Sequence, residues 1–142
     1  MLGEDMHDWF GYSLSLSNGY LVVGAPKASY VRVYRQLGNA EEWEFTGAEI
    51  IGQEPNDSFG EVVSITTTAT TGNLNLCVGA PSNSKMGTKS GVILTYESID
   101  GLKFDETGGF LYGKELGNEY GKVFSLSEDG KTIVIGGNVV HI

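Results

Sequence analysis

The 142-residue sequence has few cysteines, few prolines and little positive charge. Its single cysteine, Cys77, excludes a disulfide within the chain and is interpreted as a small core residue instead of a reactive thiol. Nine Lys and Arg residues against eighteen Asp and Glu residues give a net charge of −9, which disfavours binding to nucleic acid or anionic lipid. No apolar run approaches the ~18 residues of a membrane span. We therefore expect no nucleic-acid partner and no membrane insertion in this segment.

The sequence also lacks the motifs of well-known enzyme families. It has no Gly-x-Ser-x-Gly elbow, no His-Glu-x-x-His motif and no phosphate-binding glycine loop. Its two histidines, His7 and His141, lie near the two ends of the chain. We therefore expect no catalytic residue and a chain that is not an enzyme. The first residues indicate no signal peptide, since they lack both a basic stretch and an apolar stretch.

Glycine is abundant, with 21 residues, and it marks a pattern that recurs along the chain. In each copy an aromatic–glycine pair precedes an alternating Ser- or Thr-containing run, and an apolar run then ends at a glycine corner. The pairs and corners are Phe10-Gly11 with Gly24-Ala25-Pro26, Phe59-Gly60 with Gly79-Ala80-Pro81, and, in a degraded copy, Tyr120-Gly121 with Gly136-Gly137-Asn138. Such self-similarity is typical of units that bury their apolar faces only by stacking on one another.

Each copy contains short runs with the alternation or the β-branched content of strands. Ser17-Asn18-Gly19 predicts a tight turn between the first two runs, and Pro26 ends the second run because proline cannot donate to a sheet. The predicted strands are 11–17, 20–23, 30–34 and 43–46 in the first copy, 61–66, 74–78, 92–96 and about 104–107 in the second, and 122–127 and 132–135 in the third. The third copy is predicted to stop without a third or fourth strand.

Four short antiparallel strands per unit of about 50–60 residues predict the blades of a β-propeller. A large aromatic residue, Trp43 or Phe104, falls in the fourth run of each full copy, where the outer rim of a blade is wide. We predict an all-β chain of about two and a half blades, an incomplete propeller, with blade one at about 11–47, blade two at about 60–108 and a partial blade three at about 121–142. The alternative is a plain β-sandwich in which the similarity between copies is coincidental.

The combination of Phe-Gly, a Ser-rich strand, an apolar strand ending in Gly-Ala-Pro and the run Val31-Arg32-Val33-Tyr34 resembles the FG-GAP repeat. That repeat forms the propeller head of integrin alpha subunits and occurs in many secreted or cell-surface proteins. The resemblance covers residues 3–138 and implies a non-enzymatic protein-binding or cell-adhesion module with an extracellular or cell-surface location. Two alternatives stay open, namely the propeller portion of a larger secreted or surface enzyme and a truncated fragment with no independent function.

FG-GAP repeats often carry a calcium loop, with three or more Asp or Asn side chains between the first and second strands. The equivalent loops here are 17–19, 67–73 and 128–130, and only the third contains two acidic residues. We therefore predict no metal and no cofactor. The densest ligand-like cluster is Glu4, Asp5, His7 and Asp8, for which a solvated loop is the preferred interpretation over a metal site.

By analogy with the family, four loops are expected to share one face, namely 26–29, 52–58, 82–90 and 113–119. The longest of them carries Asn83, Lys85 and Lys89, which we predict to contact a protein or glycan ligand. The sequon Asn56-Asp57-Ser58 lies in another of these loops, and the sequence leaves its glycosylation open. Unpaired strand edges of the incomplete blade predict self-association.

Titration of the chain with Ca²⁺ in a calorimeter is expected to give no saturable heat at micromolar concentration. The reason is that the three loops offer too few carboxylate oxygens for the ~6–8 oxygen ligands of calcium. A titration with Mg²⁺ under the same conditions controls for the heat of dilution. A saturable Ca²⁺ isotherm in the micromolar range would contradict this expectation.

Overall fold

A computed structural model describes residues 5–38, 41–136 and 138–141. Within these ranges the regular structure consists of β-strands alone, so the prediction of an all-β chain is confirmed. The same ranges include no helix that could cross a membrane. The strands form three antiparallel sheets, and none of the three, as described, closes on itself.

Each sheet contains strands that are consecutive in the sequence, and strands joined by a loop are neighbours in the sheet. Sheet 1 comprises β1 (Ser13–Ser17), β2 (Tyr20–Ala25), β3 (Tyr30–Leu37) and β4 (Glu42–Ile51). Sheet 2 comprises β5 (Val62–Thr67), β6 (Leu74–Ala80), β7 (Val92–Ser98), β8 (Asp105–Glu106) and β9 (Leu111–Tyr112), with both β8 and β9 paired to β7. Sheet 3 comprises β10 (Phe124–Leu126), β11 (Thr132–Ile135) and β12 (Asn138–His141).

The tight turn predicted between the first two runs is confirmed. Ser17 lies opposite Tyr20, and the two residues between them, Asn18 and Gly19, have φ angles of 44° and 79°. Positive φ at both central residues is the geometry of a type I′ hairpin turn, which Asn-Gly favours. The turn therefore sets the register of β1 against β2, so that Ser15 lies opposite Val22.

The prediction that the third copy has no third strand is wrong. Strand β12 pairs with β11, and Asn138 lies opposite Ile135. Only two residues of sequence, 136–137, separate this pair, and a two-residue glycine connection suits a tight hairpin. These glycines align with the Gly-Ala-Pro corners of the other two copies, but in the sequence no proline follows them to end the pairing.

The fourth strand of sheet 1 is longer than predicted, whereas that of sheet 2 is shorter and is followed by a separate strand. Strand β4 continues past Gly47 to Ile51, and in sheet 2 the strand resumes after Gly108 as β9. Gly47 and Gly108 have φ angles of 92° and 74°, and the register of β4 on β3 shifts at this point. A glycine at positive φ is typical of a β-bulge, which bends a strand without ending it. The bulge therefore follows directly on the residues at which the predicted fourth strands end, 46 and about 107.

The sheets pack on one another through the serine side of β1, not through its leucine side. Ser13 Oγ donates to the carbonyl of Gly60 at 2.6 Å, and the backbone N–H of Ile65 donates to Ser15 Oγ at 3.0 Å. Leu14 and Leu16 point the other way and are 62% and 63% exposed. Serine hydroxyls therefore hydrogen-bond to backbone groups at the edge of sheet 2, where an apolar side chain would leave those groups unpaired.

Two apolar cores lie between the sheets, one at each junction. The first includes Val22, Val31 and Val33 of sheet 1 with Ile65, Leu76, Val78 and Leu94 of sheet 2. The second joins the opposite face of sheet 2 to sheet 3 through Cys77, Ile93, Leu126, Ile133 and Ile135. Sheet 2 is therefore covered on both faces, which agrees with the continuous apolar run of its strand β6.

The two corner glycines approach the backbone of the following sheet closely. A Cβ added to Gly24 would overlap the carbonyl oxygen of Gly60, and one added to Gly79 would overlap the carbonyl oxygen of Gly121. Gly136, at the aligned position in sheet 3, has no atom closer than 3.8 Å to an added Cβ. The first two glycines are required by close packing, whereas the third is not.

Replacing Gly24 or Gly79 by alanine is expected to lower the free energy of unfolding by about 1–3 kcal/mol, because the added methyl group would force the sheets apart. Gly136→Ala serves as the matched control and should change stability by no more than about 0.5 kcal/mol. Urea unfolding followed by tryptophan fluorescence measures all three variants. Equal effects of the three substitutions would show that the close backbone approach is not what requires glycine.

Candidate functional site

The first two aromatic–glycine pairs are turns held by buried aspartates. Asp8 Oδ1 accepts a hydrogen bond from the backbone N–H of Phe10 at 2.8 Å, and Asp57 Oδ1 accepts one from that of Phe59 at 2.9 Å. The two aspartates are buried, with exposures of 6% and 4%. An Asx side chain that binds the backbone two residues ahead fixes a turn. The turns at which the loops meet β1 and β5 therefore have a defined geometry.

Each of the three aromatic–glycine turns places a non-glycine residue in the left-handed region. Trp9, Ser58 and Glu119 have φ angles of 58°, 62° and 45°. Such a conformation is rare for a bulky residue, and strained backbone is found more often at functional surfaces than elsewhere. Trp9 is 50% exposed and stacks on Tyr12, with ring centroids 5.5 Å apart. Lys27 Nζ lies 4.7 Å from the centroid of the Trp9 ring.

Three of the four predicted surface loops meet at Asp57. Ser29 Oγ, in loop 26–29, donates to Asp57 Oδ1 at 3.0 Å. The backbone N–H of Ser82, in loop 82–90, donates to the carbonyl of Asp57 at 3.0 Å. A bond of 3.0 Å from Ser58 Oγ to Ser82 Oγ adds a second link between loops 52–58 and 82–90. A single buried residue thus joins the three loops.

The fourth loop, 113–119, is hydrogen-bonded to the far end of loop 82–90. The backbone N–H of Gly117 donates to the carbonyl of Thr88 at 2.9 Å, and that of Glu119 donates to the carbonyl of Lys89 at 3.0 Å. The four loops therefore form one continuous surface, which we call the loop surface (26–29, 52–58, 82–90 and 113–119). Loop 82–90 lies in its middle and contacts loops on both sides.

Asn83, a predicted ligand contact, is buried, with an exposure of 6%. Its Oδ1 accepts a hydrogen bond from the backbone N–H of Lys85 at 3.1 Å. Its own N–H donates to the carbonyl of Ala80 at 3.1 Å, and its carbonyl accepts from the N–H of Gly91 at 2.9 Å. These bonds show Asn83 holding the base of loop 82–90, with little of its side chain left to contact solvent.

The two predicted lysines are exposed on the same loop. Lys85 Nζ lies 5.8 Å from the ring centroid of Phe110 and 5.7 Å from that of Tyr112, within the range of a cation–π contact. Lys89 has a φ of 49°, and its backbone N–H donates to Ser84 Oγ at 3.1 Å. Both ammonium groups are thus presented on the loop surface.

A groove of about 420 Å³ runs between loops 52–58 and 82–90. Phe110 and Tyr112 border its neighbouring hollow and stack on each other, with centroids 5.8 Å apart. Sequence reasoning missed these two aromatic residues because the strand was expected to end at residue 107. Their alternation around Leu111 was the signal for β9. The residues lining the groove are Glu54, Pro55, Asn56, Asp57, Ser82, Ser84 and Lys85.

The described members of the ligand-like cluster near the N-terminus, Asp5, His7 and Asp8, do not gather their side chains around one point. Asp5 and His7 contact each other at 3.2 Å on the surface, whereas Asp8 Oδ2 accepts from the hydroxyl of Tyr30 at 2.7 Å. Glu4 lies outside the described residues. Across the part of the chain that the structure describes, no three His, Cys, Asp or Glu side chains are close enough to share a metal ion.

The acidic turn 128–130 uses its carboxylate internally. Asp129 Oδ1 accepts from Ser127 Oγ at 2.6 Å and from the backbone N–H of Lys131 at 3.0 Å. The hydrogen bond from Ser127 is the main cause of a lowered pKa at Asp129, so this carboxyl is ionised at neutral pH. Its charge stabilises a tight turn that precedes β11.

Cys77 is buried in the second core, and burial raises the pKa of its thiol to about 12. The thiolate is the reactive form of cysteine, so at neutral pH this side chain is protonated and shielded from reagents. Its position opposite Ser64 on β5 is that of a small packing residue.

No protein-family model matches this sequence, and no curated protein is significantly similar to it.

Replacing Asp57 by alanine is expected to lower the free energy of unfolding by about 1–3 kcal/mol, because the N–H of Phe59 and the hydroxyl of Ser29 lose their acceptor. Asp57→Asn is the matched control, since its amide oxygen can still accept both bonds, and it should cost less than half as much. Urea unfolding at neutral pH measures both variants. If alanine and asparagine gave the same stability, Asp57 would not be what holds the loops together.

Proposed function

We propose that the chain is a segment of an FG-GAP-type β-propeller that acts as a non-enzymatic protein-binding or cell-adhesion module at an extracellular or cell-surface location. The proposal combines the resemblance of the sequence with two features of the structure. One is the way in which successive sheets pack, and the other is the loop surface.

The propeller arrangement is supported by a contact that occurs at both sheet junctions. The corner glycine of sheet 1 packs on the Phe-Gly turn that precedes sheet 2, and the corner glycine of sheet 2 packs on the Tyr-Gly turn that precedes sheet 3. When the same residues make the same contact at successive junctions, one rotation can relate each sheet to the next. Blades of a propeller are related in this way.

The binding function rests on one observation, which is the hydrogen-bonded continuity of the loop surface. Loops on a rigid sheet scaffold commonly carry binding residues. Here backbone bonds from Ser82 to Asp57 and from Glu119 to Lys89 tie adjacent loops together before any ligand is present. A surface that is already ordered loses less conformational entropy when it binds a partner.

The groove is lined by one cation, Lys85, and by two carboxylates, Glu54 and Asp57, so a ligand there must bring hydroxyl or N–H donors as well as a carboxylate. Lys85 supplies an exposed cation beside two aromatic rings, and the hydroxyls of Ser82 and Ser84 line the same groove. Aromatic rings, hydroxyl groups and one cation are the usual contacts of an acidic sugar or of an acidic protein loop. We assign the ligand to this class, with Lys85 and Lys89 as its charged contacts.

The test is binding of the purified chain to immobilised uronate-containing oligosaccharides and acidic peptides, measured by biolayer interferometry. We expect saturable binding to at least one probe. The double variant K85A/K89A should weaken it by about tenfold or more, since each lost charge-assisted contact contributes about 1.5–3 kcal/mol before solvent screening reduces it.

The matched control is K103A/K131A, which removes two exposed lysines outside the loop surface and changes the net charge equally. This variant should bind as the natural sequence does. Absence of saturable binding to every probe, or equal losses in the two double variants, would count against a binding role for the loop surface.

A further inference from the structure

The β1 edge of the outer face of sheet 1 exposes residues whose aligned counterparts are buried in the other sheets. Leu14 and Leu16 of β1 are 62% and 63% exposed, whereas Val63 and Ile65 at the matching positions of β5 are 7% and 3% exposed. Leu126 of β10, which matches Leu16 and Ile65, is 8% exposed. In sheets 2 and 3 these side chains are covered by the preceding sheet. We call the Leu14 and Leu16 side of sheet 1 the head face.

The outer face of sheet 3 shows the complementary exposure. Ser125 lies opposite Val134, and both are exposed, with Val134 at 50%. The matching serine–apolar pairs of the other two sheets have their apolar members covered by the following sheet: Val22 is 0% exposed and Cys77 is 1% exposed. We call the Ser125 and Val134 side of sheet 3 the tail face.

Both junctions inside the chain join a tail-type face to a head-type face. At the first junction Val22 belongs to the same core as Ile65, and Ser15 Oγ accepts the backbone N–H of Ile65. At the second junction Cys77 belongs to the same core as Leu126. Neither junction joins two faces of the same type. The head face and the tail face left at the two ends are therefore the two halves of this same kind of junction.

We propose that the tail face of one chain docks on the head face of a second copy of the same chain. The arrangement reproduces the internal junction, with Val134 in the place of Val22 and Leu16 in the place of Ile65. Ser125 then takes the place of Ser15 against the backbone of β1. Because the two faces differ, the contact is heterologous, and each added copy leaves one head face and one tail face open. The inference uses the same sheet-to-sheet packing as the proposed propeller, but it does not rest on a binding role for the loop surface.

Charge gives the association a characteristic dependence on salt. Each chain has a net charge of −9, so copies repel one another at low ionic strength. Added salt screens this repulsion, whereas the apolar contact between Leu16 and Val134 is not weakened by screening. Association is therefore expected to strengthen as NaCl is raised from low to physiological concentration.

The experiment is sedimentation velocity on the natural chain and on L16K, V134K and the double variant L16K/V134K. Both residues are at least half exposed, so the substitutions leave the two internal cores intact. Lysine lowers the negative net charge, which means that any loss of association cannot come from greater overall repulsion. I99K changes a residue that is 80% exposed and belongs to neither face, and it serves as the control. Circular dichroism verifies the fold of each variant.

The natural chain and I99K should form dimers and larger species as concentration rises. Each single variant should associate at least about tenfold more weakly than the natural chain, since docking would bury an unpaired ammonium group. The decisive sample is an equimolar mixture of L16K and V134K. It should form a 1:1 dimer of about twice 15.2 kDa and nothing larger, because one intact tail face meets one intact head face.

Several results would overturn the proposal. A natural chain that stays monomeric at all concentrations would show that the two faces do not join. V134K keeps only its head face, so if it dimerised as well as the natural chain, two head faces would be in contact. L16K keeps only its tail face, so the same result for L16K would show contact between two tail faces. If neither variant weakened association, pairing through open strand edges would be the cause. A mixture that stayed monomeric would exclude complementary faces.

Discussion

The contact between a corner glycine and the carbonyl of the next turn sets the distance between successive sheets. Gly24 meets the turn at Gly60, and Gly79 meets the turn at Gly121, with no room for a side chain between them. The packing of Val22 and of Cys77 depends on that distance, because apolar cores tolerate little change in separation. The glycine content of the chain is therefore partly a packing requirement and not only a requirement of turns.

The same contact determines where the loops lie. The turn that receives Gly24 is fixed by Asp57 Oδ1, which accepts the N–H of Phe59. The same oxygen also accepts the hydroxyl of Ser29, and the backbone carbonyl of Asp57 accepts the N–H of Ser82. Asp57 consequently helps to fix both the spacing of the sheets and the position of the loops. Oδ1 of the buried carboxylate accepts two hydrogen bonds, which offsets part of the cost of removing it from water. The loop surface is thus an extension of the core, which explains how loops with little regular structure have a fixed arrangement.

Much of the strand order could be predicted from sequence, because the signals were local. Asn18-Gly19 specified a hairpin, and the alignment of Tyr34 with Tyr96 agrees with their pairing opposite Leu21 and Leu76. What could not be predicted depends on contacts between distant segments. Thr46 and Thr107 both donate to a carbonyl of the preceding strand, at 3.0 and 3.2 Å, across a bulge that sequence alone presents as a strand end. The role of Phe110 and Tyr112 beside loop 82–90 was missed for the same reason, as was β12.

The exposure of Leu14 and Leu16 follows from the width of the junction. Where two backbones approach as closely as at Gly24, only a small side chain fits on the inner side of β1, and a hydroxyl there also satisfies the N–H of Ile65. Large residues must then occupy the opposite face of each first strand. Each first strand consequently has a serine side and a large apolar side, and at the first junction the serine side of β1 lies against the large side of β5. Stacking of this kind has a direction, so a free end of the stack is complementary to the other free end and not to itself.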